Sequence, residues 1–284
     1  MTWVQVDEEL LPPLIRFLGP LEGACVPLTE KLHVNRRLQV PPRKEFTLLA
    51  RVERGERITG AILQNHNGLY YPVLDATRPE VEAQAVRLLV RSSRRLFSVM
   101  GRATDVEALE TALARAPGQI MAYHLMAQER PPQERPLPRL PRGMFIRPAR
   151  PDEARHLFDI QKKYEIEEVL LPGNTFSPTA TLQHLKETLR EQIVVVAEIE
   201  GMPVGKANTN ARGIFFDQIG GVFTERALRS RGIATALMMR LLQKVASEQK
   251  SASLFVKKDN APALRMYQNL GFAVEDGFRI SYYR

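Results

Sequence analysis

The 284-residue sequence is 44% hydrophobic and 25% charged, the proportions of a chain that buries a core, which excludes a mainly disordered protein and leaves room for two domains. Lys and Arg number 40 against 32 Asp and Glu, for a formal charge of +8; the halves before and after residue 143 carry the same 20 basic and 16 acidic residues. An excess spread so evenly, with no basic tail, weakens a nucleic-acid role. Cys25 is the only cysteine, so an internal disulfide and a thiolate metal cluster are excluded and a reducing, cytoplasmic location is expected. Residues 1–10 are acidic and lack the layout of a signal peptide, and no apolar run reaches 18 residues, so no membrane partner is expected.

In chain order, residues 1–44 carry no pattern that assigns an element. Strands are expected at 47–52, 58–63, 69–74 and 96–100, with a turn at 53–57 and helices at 79–91 and 104–116. The five prolines between Gln128 and Gly143 suit neither a helix interior nor a central strand, and predict a stiff linker. Beyond it come a strand at 145–148 and helices at 151–164 and 177–191. A strand at 193–199 turns through Glu200-Gly201 into 204–208, and a third strand follows at 215–224. A long amphipathic helix at 232–249, a strand at 252–257 and a helix at 261–270 closed by Gly271 complete the pattern, with two short strands near 272–274 and 279–283. The first half repeats the order of residues 193–270, which predicts a duplicated fold.

Two stretches carry chemistry. Val222-Phe223-Thr224 ends a strand and leads through Arg229-Ser230-Arg231-Gly232-Ile233-Ala234-Thr235 into the long helix. A strand that empties into a glycine-bearing helix start exposes unpaired backbone N–H groups, which suit phosphate oxygens. The helix dipole adds only about 0.3–1 kcal/mol, so directed hydrogen bonds and the arginines must supply most of the affinity. The turn is neither a Walker loop nor a dinucleotide fingerprint, because G-x-x-x-x-G-K-[ST] and G-x-G-x-x-G are both absent. Further on, Asn260 stands at a helix start, followed by Ala263, Tyr267 and Gly271-Phe272.

With R-x-x-G-x-A after a strand and N-x-x-A-x-x-x-Y-x-x-x-G-F in order behind it, residues 145–284 resemble the GCN5-related N-acetyltransferase (GNAT) superfamily. The resemblance implies a mixed, mostly antiparallel α/β fold flanked by helices. Three segments are then expected: a degenerate GNAT-like domain over 1–127 without a CoA motif, the linker 128–143, and a catalytic domain over 144–284. It implies acetyl-CoA as co-substrate and no metal. Val222, Phe223 and Thr224 would hold the pantetheine arm, and Arg229, Ser230, Arg231, Gly232, Ile233, Ala234 and Thr235 the pyrophosphate. Asn260 would reach the cofactor arm, and Tyr267 would face the thioester sulfur as general acid.

An acceptor amine of pKa near 10.4 is only about one part in 2,500 neutral at pH 7, a cost of about 4.6 kcal/mol that a base or a desolvating site must offset. The strand position where some relatives carry a glutamate holds Gln218, which cannot take a proton. Asp217 faces away unless Gly220-Gly221 forms a bulge. Glu165, Glu167 and Glu168 stand where an acceptor would enter, and Glu165 and Glu168 are the acidic candidates for the site. His156 and His184 lack a second ligand at metal spacing. The expected acceptor is an amine-bearing small molecule, peptide or protein. A CoA-binding sensor without transfer is the alternative, favoured by the missing carboxylate at Gln218. The corresponding turn of the first half, residues 75–80, has no glycine and two acids, so that half is expected not to bind CoA.

Overall fold

The structure is a computed structural model describing residues 2–34, 37–53, 57–92, 95–128, 136–171 and 173–283. Linker residues 129–135, with Pro131 and Pro132, residues 54–56 of the first turn, and Arg94 lie outside the described residues.

The first half contains β1 (Thr2–Gln5), α1 (Leu11–Leu18), α2 (Glu22–Leu32), a small hairpin of β2 (His33–Val34) and β3 (Arg37–Leu38), then β4 (Phe46–Val52), β5 (Ile58–Asn65), β6 (Leu69–Leu74), α3 (Ala83–Ser92), β7 (Ser98–Arg102), α4 (Ala103–Leu113) and β8 (Gln119–Gln128). The second contains β9 (Met144–Pro148), α5 (Phe158–Tyr164), α6 (Pro178–Glu191), β10 (Val194–Ile199), β11 (Met202–Arg212), β12 (Phe216–Thr224), α7 (Ile233–Ser247), β13 (Ser251–Lys257), α8 (Ala261–Asn269) and β14 (Ala273–Tyr282). Apart from the small hairpin, both halves run strand, two helices, three strands, helix, strand, helix, strand. The opening segment that carried no sequence pattern supplies the first strand and helix pair of the repeat.

The halves share one twelve-stranded sheet, ordered β1-β4-β5-β6-β7-β14-β8-β13-β12-β11-β10-β9. The order is symmetric about its centre, where the last strand of each half has crossed over to the other half's side. β14 pairs with β7 of the first half, from Phe278 opposite Arg102 to Tyr282 opposite Ser98. β8 pairs with β13 of the second half, from Ala252 opposite Gln128 to Lys257 opposite Tyr123. The linker therefore divides the chain but not the sheet.

The cores follow the same exchange. Phe278 on β14 is 1% exposed within the first half's core, and its ring stacks on Phe255 of β13 at 4.6 Å with 2° between planes. Behind the sheet, α2 docks on the second half through Glu22, a buried carboxylate that accepts the N–H groups of Ile214 and Phe215 at 2.6 and 2.7 Å. Those amides lie in the turn between β11 and β12, so the first half holds the root of the strand that carries the site.

Four elements depart from the sequence reading. Residues 151–157 form turns, and the helix begins only at Phe158. Glu153 explains this, because its carboxylate accepts the Arg150 N–H and both terminal guanidinium nitrogens of Arg147, satisfying the chain locally without a helix. The first-half helix expected from residue 79 starts at Ala83, since residues 78–80 are pinned to Arg51. The two short strands near the end are one strand with a register shift between Val274 and Asp276. β8 was not expected at all: its residues show no regular alternation of apolar and polar side chains, and pairing on both edges supplies what the local pattern lacks. Among the described residues no helix is long and apolar enough to cross a membrane.

Candidate active site

β12 and β13 run parallel, but they pair only from Phe216 opposite Ser251 to Ile219 opposite Leu254. Beyond Ile219 that ladder ends, and among the described residues the edge of β12 from Gly220 to Thr224 has no strand partner on the β13 side. At the point of parting, Lys206 lies opposite Phe223 and Asn208 opposite Gly220, so β12 has one residue more than β11 between these pairs. This is a β-bulge, and Gly221 takes a φ of +58° there. Phe223 packs beneath α5 and α6, whereas Val222 lies with the core under α7. Thr224 is buried and its Oγ1 has no hydrogen-bond partner.

The turn into α7 has the geometry of an anion cradle. Ser230 and Gly232 both adopt positive φ, +62° and +77°, and the first intrahelical bond runs from Ala236 N–H to the Gly232 carbonyl at 3.0 Å. The amides of Ile233, Ala234 and Thr235 therefore precede the first intrahelical donor and point out of the helix end. Linker residue Pro138 packs against this turn, where a Cβ on Gly232 would stand 2.8 Å from the Pro138 Cβ. Pro136 and Pro138 continue into a groove of about 390 Å³ between α7 and α8, lined further by Thr235, Met239, Pro262 and Arg265. Arg231 is exposed beside it. Arg229 is occupied differently from the sequence reading: its Nε donates to the Thr224 carbonyl at 3.0 Å, its Nη2 pairs with Glu167 at 2.6 Å, and its guanidinium lies over Phe223. It braces the end of β12.

Asn260 caps α8, accepting the Ala263 N–H at 3.2 Å. Two turns on, Tyr267 is buried with its ring edge-on to Phe272 at 6.0 Å. Burial raises its hydroxyl pKa well above the ordinary tyrosine value, and the nearby Tyr164 and Glu168 add to the shift. The raised pKa keeps the Tyr267 hydroxyl in its protonated form near neutral pH. Tyr164, at the end of α5, lies against the Gly221 backbone, and burial pushes its pKa up to about 12.

The acidic candidates all have partners. α5 runs into a π turn at Glu165–Val169. Glu165 accepts from Thr181 Oγ1 and from Gln161 at 2.9 Å, Glu167 binds Arg226 and Arg229, and Glu168 pairs with Lys257 at 3.0 Å. Gln218 is buried with its Nε2 unpartnered. The bulge forms as considered, yet Asp217 is held by Lys250 and Arg212 at 2.9 and 3.3 Å. Burial raises its pKa, and those cations lower it only in part. His156 bonds to Glu198, and among the described residues no three His, Cys, Asp or Glu side chains are grouped to hold a metal.

Two residues of this region escaped the sequence reading. Tyr123, on the exchanged β8, stands opposite Lys257 and packs edge-on against Phe255 at 5.2 Å. Burial pushes its pKa up to about 12, with smaller contributions from Tyr282, Tyr164 and Glu168. No local pattern could place it beside residues of the second half. Lys206 is 2% exposed on β11, with its ammonium 4.6 Å from the Tyr164 ring and 2.7 Å from Asn208 Oδ1. A lysine at an inward strand position between the small residues Gly205 and Ala207 was the available signal.

In the first half β6 and β7 also pair for only two residues before parting, but the opening is filled. Arg102 donates to the Leu74 carbonyl at 2.5 Å and pairs with Asp105 at 2.8 Å. The buried Arg51 binds the carbonyls of Arg78 and Glu80 at 2.6 and 2.7 Å, so the turn that corresponds to the cradle is fastened to a guanidinium.

Residues 157–272 match the family described as the Acetyltransferase (GNAT) family. No curated protein matches the chain. Among solved structures, a Drosophila protein superposes with a TM-score of 0.67 at 11% identity, covering 99% of this chain and 98% of that one. A tandem GNAT protein from the clavulanic acid biosynthesis pathway superposes with a TM-score of 0.62 at 16% identity, over 99% and 98% of the two chains. A GCN5-related N-acetyltransferase from Sphaerobacter thermophilus gives 0.57 at 16% identity over 98% and 94%. These likenesses are of fold, over the whole tandem arrangement. With the family match running through β12, the cradle and α8, residues 157–272 form an acetyltransferase domain of the GNAT family.

Proposed function

We propose that the C-terminal half transfers an acetyl group from acetyl-CoA to a primary amine by direct attack. The observation that carries this reading is the parting of β12 from β13 above a glycine cradle, which leaves a strand edge and a helix start able to bind an extended, phosphate-bearing carrier. The residues fit such a carrier: the free edge of Val222, Phe223 and Thr224 suits the pantetheine amides, and the unpartnered Thr224 Oγ1 gains a partner. The turn from Ser230 to Thr235 suits the pyrophosphate, with Arg231 beside it and Arg229 as a brace. The groove between α7 and α8 suits the nucleotide, and Asn260 fixes the start of α8. Acetyl-CoA supplies an acyl group on a thiolate leaving group. Tyr267 donates a hydrogen bond where sulfur leaves, and the bulge amides stabilise negative charge on the carbonyl oxygen.

On the other side of the sheet, Tyr164, Glu165, Glu168 and the exchanged Tyr123 wall the acceptor entrance. Carboxylates there favour a cationic amine, carried by a small molecule, a peptide N-terminus or a protein lysine. Cys25 is buried in the first half's core, which supports direct attack over a cysteinyl acyl-enzyme, and the expected location is cytoplasmic. Acetyl-CoA consumption across an amine panel tests the reading; thioester hydrolysis unaffected by every amine would instead favour a CoA-binding sensor. Tyr267→Phe is expected to lower turnover about 10–100-fold with CoA affinity nearly unchanged, by steady-state kinetics and calorimetry. Equal turnover would mean that the thiolate departs without help. Because Arg51 and Arg102 fill the first half's opening, calorimetry is expected to return one CoA per chain; a second site would contradict that assignment.

A further inference from the structure

The bulge glycines are crowded by polar side chains. A Cβ on Gly221 would lie 1.9 Å from Asn208 Oδ1 and 2.7 Å from Lys206 Nζ, and one on Gly220 would lie 2.0 Å from Asn210 Nδ2. The absence of side chains at the point where the strands part thus makes room for a buried lysine. Its neighbours on each packed element are few. β11 gives Asn208, which is itself held by Asn210 Oδ1 and the Thr209 carbonyl. β12 gives Phe223 across the ladder and the Gly221 backbone, β10 gives Val196 across the ladder, and α5 gives the Tyr164 ring. The charged group facing it is Glu165 of the π turn, which is occupied by Thr181 and Gln161. Among the described residues no carboxylate lies within ion-pairing distance of Lys206.

Resting on the reading of the site as an acyl-transfer centre, we propose that Lys206 is its proton acceptor, a catalytic residue whose Nζ takes the proton shed by the acceptor amine. As the amine nitrogen bonds to the acyl carbon, the C–S bond breaks and its electron pair leaves with sulfur. The proton passes to Lys206 Nζ, which hands it to solvent, and the thiolate, hydrogen-bonded by Tyr267, takes a proton from solvent to leave as the thiol. Burial lowers the Lys206 pKa to about 7, the Glu165 charge opposing only in part, so the amine is available in its neutral form near neutral pH. This supplies the base that Gln218 cannot be.

The test uses the full chain, acetyl-CoA and the best amine from the panel. For the wild type, kcat/KM for the amine should rise through a limb near pH 7. Lys206→Met should lower kcat at least tenfold and erase that limb while CoA affinity stays within threefold. Lys206→Arg, which cannot take the proton near neutrality, should behave the same. A retained limb and rate in either folded variant would overturn the proposal. If Lys206→Met does not fold, titration of the wild-type Lys206 side-chain nitrogen by ¹⁵N NMR decides: a midpoint near 7 supports the role, and one above 9 overturns it. A wild type that binds CoA but serves no amine would instead count against the transfer reading itself, leaving the titration midpoint as a separate result.

Discussion

Gly232→Val is expected to weaken CoA binding at least about 100-fold in calorimetry. Gly232 has a φ of +77°, a region that costs an L residue about 1–2 kcal/mol and a β-branched one more. A valine also collides with Pro138, whose Cβ is 2.8 Å from the first atom added. Whether the turn rotates or the linker retreats, the amides of Ile233 and Ala234 lose their aim. Two charge-assisted hydrogen bonds at about 1.5 kcal/mol each amount to about 3 kcal/mol, a factor of roughly 150. The thermal midpoint of the folded protein controls for general damage. A well-folded valine variant with unchanged affinity would remove the cradle from the proposed function.

Phe278→Ala should destabilise the whole protein by about 3–5 kcal/mol, the usual cost of truncating a buried aromatic. The ring is 1% exposed, stacks on Phe255 and touches Tyr71 and Tyr123, so its loss opens a void at the seam of both halves. Since β14 belongs to the second half in sequence and pairs with the first half's β7, the two halves should melt together, and the variant should show one cooperative transition at lower denaturant. Two separated transitions, with the second-half transition unmoved, would contradict coupling through the exchanged strands. The same coupling predicts that residues 144–284 alone lack the strand that covers β13.

Most elements of the second half were legible because each carries its own signals. Ser177 caps α6 through the Ala180 N–H, Gly271 ends α8 at a φ of +95°, and the β-branched run of β10 keeps its face whichever neighbour it meets. The acceptor side was harder. The sequence put Glu165, Glu167 and Glu168 where an acceptor would enter but did not show their partners; each is held by residues from other elements, because a half-buried charge left alone is costly and the fold supplies partners. Arg229 likewise read as a phosphate ligand and is engaged with the strand end and Glu167.

The sequence alone determined the strand-to-helix turn around Gly232, the capped helix bearing Tyr267 and the repetition of elements, since backbone geometry, capping and periodicity are properties of neighbouring residues. The tertiary structure decided which strands meet. The crossover of β8 and β14, the placing of Tyr123 beside the second half's cleft and the burial of Lys206 against a glycine bulge depend on contacts between residues far apart in the chain. Those contacts are fixed by the need to pair every strand edge and to fill a shared core, a demand that no local stretch of sequence expresses.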